Sequence, residues 1–254
     1  MLSLLTGLGW LAASLLLFLV AQRWLHREIH AVFLLITRRP GLSVGLFSLV
    51  FFPGVLLHET SHFLMARILG VRTGRFSLLP QVMANGQVRL GYVETARADV
   101  FRDALIGTAP LITGGLATAY LGIAQFNLAP IFSMVSQGAW DLVWPALAAV
   151  PRQPDFALWF YLAFTISSTM LPSSSDRRAW LPVMVGLGAL LILALVAGAG
   201  EWMLLRLAPG LTQALNALAM VFGISLVLHL ALGLPVGLLR AFISKLTGLQ
   251  VVSS

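Results

Sequence analysis

Long uncharged apolar runs constrain this chain more than any other feature of its sequence. A helix needs about 20 apolar residues to cross a bilayer. Runs near that length occupy residues 2–21, 42–57, 104–125, 156–175, 179–200 and 211–234. Hydrophobic residues make up 59% of the 254 residues and charged residues only 10%, which is unlike a soluble domain. We therefore predict an all-α polytopic membrane protein with about six transmembrane helices.

The lengths and ends of the apolar runs predict how the chain is divided into parts. The first run lacks a preceding basic residue and is too long for a signal peptide, which favours a retained helix. Residues 31–36 are too short to cross and indicate an interfacial or re-entrant piece. We expect an N-terminal part over 1–41, a core over 42–179, and two further transmembrane helices within 180–254.

The charge balance predicts partners and orientation. The net charge is +7 and the chain has no cysteine, so no thiolate site is available. Excess basic residues in a membrane protein orient loops or meet anionic lipid, so we expect a lipid bilayer as partner and no nucleic acid. Placing the loop after the second run in the cytosol gives that side the larger share of arginine and lysine, with both termini cytosolic.

A small membrane-associated β-hairpin is predicted at about 76–94. Asn85-Gly86 is a strong signal for a two-residue hairpin turn, because both central positions of such a turn need positive φ. Apolar and polar residues alternate in "VRLGY" after it, as in a half-buried strand. Pro80 cannot donate to a ladder, so the first strand is an edge or starts after it.

The stretch "GVLLHETSHFLMA" places ionisable residues in an apolar helix. His58 and His62 are four residues apart and share one helix face, so both imidazoles can reach one metal ion. Glu59 follows His58 and is positioned to act on water at that metal, as in the His-Glu-x-x-His pattern of zinc hydrolases. Unpaired polar groups are costly in hydrocarbon, so a shared cation, Zn²⁺, explains the cluster better than unrelated polar contacts.

A catalytic zinc site normally takes a third protein ligand. Asp176 is the candidate, because it follows the fourth run and Pro172 is expected to break the helix before it. The alternative is an ion pair between Asp176 and Arg177 or Arg178. His229 is either a satisfied core histidine or an accessory to the metal, and we expect His26 and His30 to lie on a solvated interfacial face.

These residues resemble the site-2 protease family of intramembrane zinc metalloproteases. The similarity covers about residues 42–179 and is strongest across "LLHETSHFLMARILGVRTGRFSLLP". In that family a membrane-associated β-hairpin follows the motif helix, and "ALIGTAPLITG" is similar to its Ala-Gly-Pro signature. The family's Asn, Pro and Leu-Asp-Gly element corresponds here to Ser168, Pro172 and Asp176, which implies Asp176 as a zinc ligand.

The resemblance implies an integral protein of a prokaryotic cell membrane that hydrolyses peptide bonds in or near transmembrane helices of other membrane proteins. Zinc would be held by His58, His62 and Asp176, with Glu59 as the catalytic base. Two alternatives stay open. One is a non-proteolytic subunit of a membrane complex that retains the metal site as a structural remnant, and the other is a transporter that uses the same three motif residues to carry ions.

Overall fold

The computed structural model describes residues 2–82 and 88–251. In that part of the chain, a β-hairpin interrupts an otherwise helical sequence. The helices are α1 (Leu2–Thr37), α2 (Pro40–Ile68), α3 (Val100–Tyr120), α4 (Leu128–Ser136), α5 (Trp140–Ala149), α6 (Phe156–Thr169), α7 (Trp180–Val196), α8 (Gly200–Arg206) and α9 (Ala208–Thr247). A π-helical turn, Leu121–Gln125, continues α3, and a 3-10 turn, Val150–Arg152, follows α5.

Four helices of the described chain are long and apolar enough to cross a membrane: α1, α2, α3 with its π-helical turn, and α9. The pair α7–α8 would make a fifth if it were one span, but it is bent by 115°. Helix α6 has only 14 residues. Large apolar side chains are exposed along these helices, as in an integral membrane protein. By length and composition, the described residues thus contain four candidate spans, or five if the bent pair is one span, so the six predicted spans are not confirmed.

Helix α1 differs most from the sequence-based expectation. It continues without a break to Thr37, so residues 31–36 extend a long helix and do not form an interfacial or re-entrant piece. Polar residues in its second half have partners on other helices, which explains the continuity. Gln22 contacts Ser168 on α6, and Glu28 pairs with Arg240 on α9.

Contacts between helices fix their directions. Helices α1 and α9 run parallel, because Phe18 stacks on Phe222 and Glu28 meets Arg240 further along both. Helix α2 runs the opposite way, since the Ser43 hydroxyl bonds the His30 carbonyl while its later residues approach earlier parts of α1.

The directions of α3 and α6 also follow from their contacts with α2. Helix α3 is antiparallel to α2, with Thr113 beside Ser61 and Arg102 beside Leu69. Helix α6 is parallel to α2, because the Tyr161 hydroxyl donates to the Val50 carbonyl and Thr169 contacts His58. Helix α6 ends, and α9 begins, toward the same end of the bundle. The α7–α8 pair therefore starts and finishes toward that end, and α6 is the element that runs back between α3 and α9.

The helix directions also bear on the expected position of the termini. Six crossings would leave both chain ends on one side, but parallel α1 and α9 place the start of α1 and the end of α9 at opposite ends of the pair.

The β-hairpin lies between α2 and α3, as predicted, and is longer than expected. Strand β1 (Thr73–Ser77) pairs antiparallel with β4 (Tyr92–Thr95), and β2 (Gln81–Val82) pairs with β3 (Val88–Arg89). Pro80 separates β1 from β2, which is where a residue without an N–H fits. The predicted Asn85-Gly86 turn lies outside the described residues.

Candidate metal centre

Helix α2 brings the motif residues into the centre of the bundle. Its close approach to α6 depends on Gly54, where a Cβ atom would overlap the Thr165 carbonyl. One turn later, His58 and His62 point from the same face of α2. His62 is buried and the His58 side chain is only 14% exposed.

Backbone carbonyls orient both imidazoles. His58 Nδ1 lies 2.6 Å from the Thr169 carbonyl, and His62 Nδ1 lies 2.8 Å from the Ile106 carbonyl. A carbonyl can only accept, so each Nδ1 carries the hydrogen and donates it. Both Nε2 atoms are then free to bind a metal, which is how metal-binding histidines are usually held.

The segment after α6 supplies the carboxylate. Helix α6 ends at Thr169, just before Pro172, and the chain folds back so that Asp176 faces the histidines. The Ser173 amide and hydroxyl both donate to Asp176 Oδ2, at 2.7 and 2.5 Å. Burial alone would raise the pKa of Asp176, but positive charge at His62 Nε2, which a proton there supplies when no metal is bound, and these Ser173 bonds outweigh it. Its pKa is held well below the usual range, so it is a carboxylate at neutral pH.

The three donor groups have the spacing of a metal site. The two Nε2 atoms are 3.2 Å apart, and Asp176 oxygens lie 3.8 Å from His58 Nε2 and 3.5 Å from His62 Nε2. Ligands at zinc bond lengths in a tetrahedral site are separated by about 3.3 Å. Two imidazole lone pairs facing each other at this distance repel unless a cation or proton lies between them. These residues could therefore hold a metal ion.

Glu59 lies beside this group on the wall of the same cavity. The cavity has a volume of about 520 Å³ and is also lined by strand β4 and the segment around Asp176. Glu59 is only 7% exposed. A Cβ atom at Gly91 would come within 2.9 Å of Glu59 Cγ, so the hairpin covers Glu59 closely and a larger side chain at position 91 would press on it.

The ion-pair alternative for Asp176 does not match the contacts of the described residues. Arg178 pairs with Asp103 at 2.8 Å, and Arg177 donates to the Ser173 carbonyl. Among the described residues, neither arginine forms an ion pair with the carboxylate that faces the histidines.

The other histidines do not join the metal group. His229 is fully buried and bonded to Ser168 and to the Ser225 carbonyl, as expected of a satisfied core histidine. The expectation of a solvated face fails for His26, which packs edge-on against Phe47 and Phe51. The reason is that α2 covers this part of α1.

Several groups that build the site were not predicted from the sequence. The Thr169 and Ile106 carbonyls are main-chain atoms, so no residue type signals them. Ser173 resembles any loop serine, although its place three residues before Asp176 is typical of a local turn that bonds a carboxylate. Gly91 gave only the weak signal of a glycine within a strand pattern.

Comparison of the chain with protein-family models, curated proteins and solved structures gives no match.

Proposed function

We propose that this protein is an intramembrane zinc metalloprotease that hydrolyses peptide bonds in or near transmembrane helices of other membrane proteins. One observation carries the proposal: two oriented imidazoles and an ionised carboxylate converge, within 4.8 Å of one another, beside buried Glu59 in a bundle of apolar helices. Three ligands of this kind leave a fourth position open, as in catalytic zinc sites. The similarity of the motif residues to site-2 proteases favours the same reaction.

Zinc bound there would act as a Lewis acid, acidifying water and polarising the substrate carbonyl. The residues of the chain have separate roles around it. His58, His62 and Asp176 would hold the ion, with the imidazoles fixed by main-chain carbonyls and the carboxylate by Ser173. Their combined charge with the ion would be +1, which a carboxylate at Glu59 would balance.

Glu59 would act as general base and then as general acid. It follows His58 by one residue, so its side chain points about 100° around the helix from that ligand and faces the cavity without joining the ligand group. In that position its carboxylate takes a proton from the attacking water. It then returns the proton to the amine nitrogen as the peptide bond breaks.

Strand β4 is the element best placed to present a substrate. It pairs with β1 within the described sheet, and its residues Val93, Glu94 and Thr95 line the cavity next to the metal group. A helical substrate must unwind before its carbonyl can be attacked. An unwound segment could then pair with β4 as an added strand, with main-chain hydrogen bonds supplying affinity.

Glu59→Gln tests the proposal, because it keeps the size of the side chain and removes the base. The assay is cleavage of single-span helices that contain Gly or Pro, reconstituted with the full-length protein. We expect cleavage to fall by about 10²- to 10⁴-fold, while elemental analysis finds one zinc per chain in both proteins. Glu201→Gln on α8 makes the same chemical change at an exposed position away from the site and should leave cleavage unchanged.

Loss of zinc from Glu59→Gln would contradict the assignment of Glu59 as a base that does not bind the metal. A zinc-loaded wild type that cuts no helix of a broad panel, and is indistinguishable from Glu59→Gln, would favour the non-proteolytic membrane subunit.

A further inference from the structure

A second polar cluster lies where α1, α6 and α9 meet, and it is not part of the metal group. Gln22, Ser168 and His229 are 9%, 5% and 0% exposed. Buried polar side chains in an apolar bundle are costly unless they are hydrogen-bonded. Each of these three residues has a partner in another helix, so the cluster joins three helices.

The hydrogens of the His229–Ser168 contact can be assigned from the partners. His229 Nδ1 lies 2.7 Å from the Ser225 carbonyl, which can only accept, so Nδ1 carries the hydrogen. Nε2 is then an acceptor, and the Ser168 hydroxyl donates to it across 2.8 Å. Helix α9 therefore holds the Ser168 side chain through a bond with a defined direction.

Gln22 holds the same residue through its main chain. Its Nε2 donates to the Ser168 carbonyl at 2.6 Å. Helix α6 ends at Thr169, so the carbonyls of Ser168 and Thr169 lack the usual partners within the helix. The first accepts from Gln22 and the second from His58.

We propose that Gln22 and His229 are positioning residues for the metal centre. They hold the last turn of α6 through the main chain and the side chain of Ser168, which places the Thr169 carbonyl against His58 Nδ1 and turns His58 Nε2 toward His62 and Asp176. The helices α1 and α9, which contribute no ligand to the metal group, thereby set the orientation of one ligand. This inference rests on the metal centre of the proposed function, and it extends the set of residues that determine metal affinity.

Metal affinity and geometry test this role directly, without any substrate. Affinity for Zn²⁺ is measured by chelator competition on the full-length protein, and geometry by the visible spectrum of the Co²⁺-loaded protein. Loss of groups that orient a ligand typically weakens metal binding by about 10- to 100-fold. We expect Gln22→Leu and His229→Leu each to weaken Zn²⁺ binding by about 10-fold and to change the Co²⁺ spectrum.

Two further variants separate positioning from general destabilisation. His229→Gln keeps an acceptor for Ser168 and should restore much of the affinity. Ser225→Ala removes another fully buried hydroxyl one turn away on α9, whose bond goes to the Val221 carbonyl. It should lower thermal stability but leave Zn²⁺ affinity and the Co²⁺ spectrum as in the wild type.

The outcomes distinguish this inference from the proposed function. If the wild type binds Zn²⁺ and Co²⁺ and both leucine variants keep its affinity and spectrum, the positioning role is wrong and the metal centre stands. If Ser225→Ala weakens Zn²⁺ binding as much as His229→Leu, the effect is one of packing and the inference also fails. A wild type that binds neither ion would overturn the metal centre and this inference together.

Discussion

At the scale of single residues, the site depends on main-chain atoms as much as on the motif. Histidines four apart on a helix share a face, but this leaves open which ring nitrogen points to the shared space. The Thr169 and Ile106 carbonyls decide it by taking both Nδ1 hydrogens. The motif could therefore hold a metal ion only where the end of α6 and the passing α3 present these two carbonyls to the rings.

Asp176 is the proposed ligand whose role can be tested most clearly by substitution. Asp176→Asn keeps the size of the side chain and an oxygen that can accept hydrogen bonds from Ser173, but it removes the negative charge that faces the histidines. Since even orienting groups contribute about 10- to 100-fold to metal affinity, loss of this ligand should weaken Zn²⁺ retention by at least about 100-fold. Chelator competition on the purified protein measures it.

Arg178→Gln is the matched control, since it breaks the half-exposed pair with Asp103, and such pairs contribute about 0–1 kcal/mol to stability. Zinc retention should stay at the wild-type value. If Arg178→Gln releases zinc as readily as Asp176→Asn, the carboxylate belongs to an ion-pair network and not to a metal site.

At the scale of elements, small residues on α3 let the segment after α6 approach. A Cβ atom at Gly107 would overlap the Asp176 carbonyl, and one at Gly114 would lie 2.5 Å from Met170 Cβ. These glycines are seven residues apart and lie on one face of the helix. The position of Asp176 therefore depends on the surface of α3 as well as on its own loop.

Gly107→Ala should displace the Asp176 segment. Overpacking of this kind costs about 1–3 kcal/mol, which outweighs the gain of up to about 1 kcal/mol from replacing Gly by Ala in a helix. We expect lower thermal stability together with weaker zinc retention. Gly188→Ala on α7, where nothing lies within 4 Å of the added Cβ, should keep zinc binding and be as stable as the wild type or more so. Unchanged zinc affinity in Gly107→Ala would show that Asp176 does not need this contact.

The elements that the sequence predicted well have signals within their own residues. The motif helix follows from its apolar run, the end of α6 from Pro172, and the hairpin between α2 and α3 from its turn and alternation. The second half of α1 was missed because residues 31–36 are too short to cross on their own, and polar residues such as Gln22 and Glu28 separate them from the first apolar run. Their partners, such as Ser168 for Gln22 and Arg240 for Glu28, are more than 140 positions away in the sequence, and no local pattern shows them.

The bent pair α7–α8 was missed for a related reason. A hydropathy profile shows only how long and how apolar a run is, and residues 179–200 are long and apolar enough for a span. Direction comes from packing, and it is the parallel pairing of α9 with α1 that removes one crossing. The candidate metal site was easier, because His58, Glu59 and His62 lie within five positions, and Asp176 follows the fourth apolar run just after Pro172.

At the scale of the whole molecule, the helix directions change the distribution of charge. Parallel α1 and α9 put Arg240 and Lys245 at the same end of the bundle as the Arg38–Arg39 turn. Arg67, Arg72 and Arg97 lie at the opposite end, where α2 finishes and α3 starts. Both ends of the bundle are therefore basic. The surplus of arginine and lysine at one end, which favoured one orientation, is smaller than it would be with six crossings.

Labelling of single cysteines can determine the threading, since the chain has no cysteine of its own. Ser3→Cys and Arg97→Cys place exposed thiols at the end where α1 starts and α3 begins, and Gln250→Cys places one beyond the end of α9. A membrane-impermeant maleimide applied to intact cells should label position 250 and spare positions 3 and 97, because parallel α1 and α9 separate these sites across the bilayer. After permeabilisation, all three should react, which controls for thiols that are merely inaccessible.

Labelling of 3 and 97 without 250 would keep the helix directions and invert the orientation. If positions 3 and 250 are both labelled or both spared in intact cells, the number of crossings is even. Helices α7–α8 would then form a full span and α9 would run antiparallel to α1.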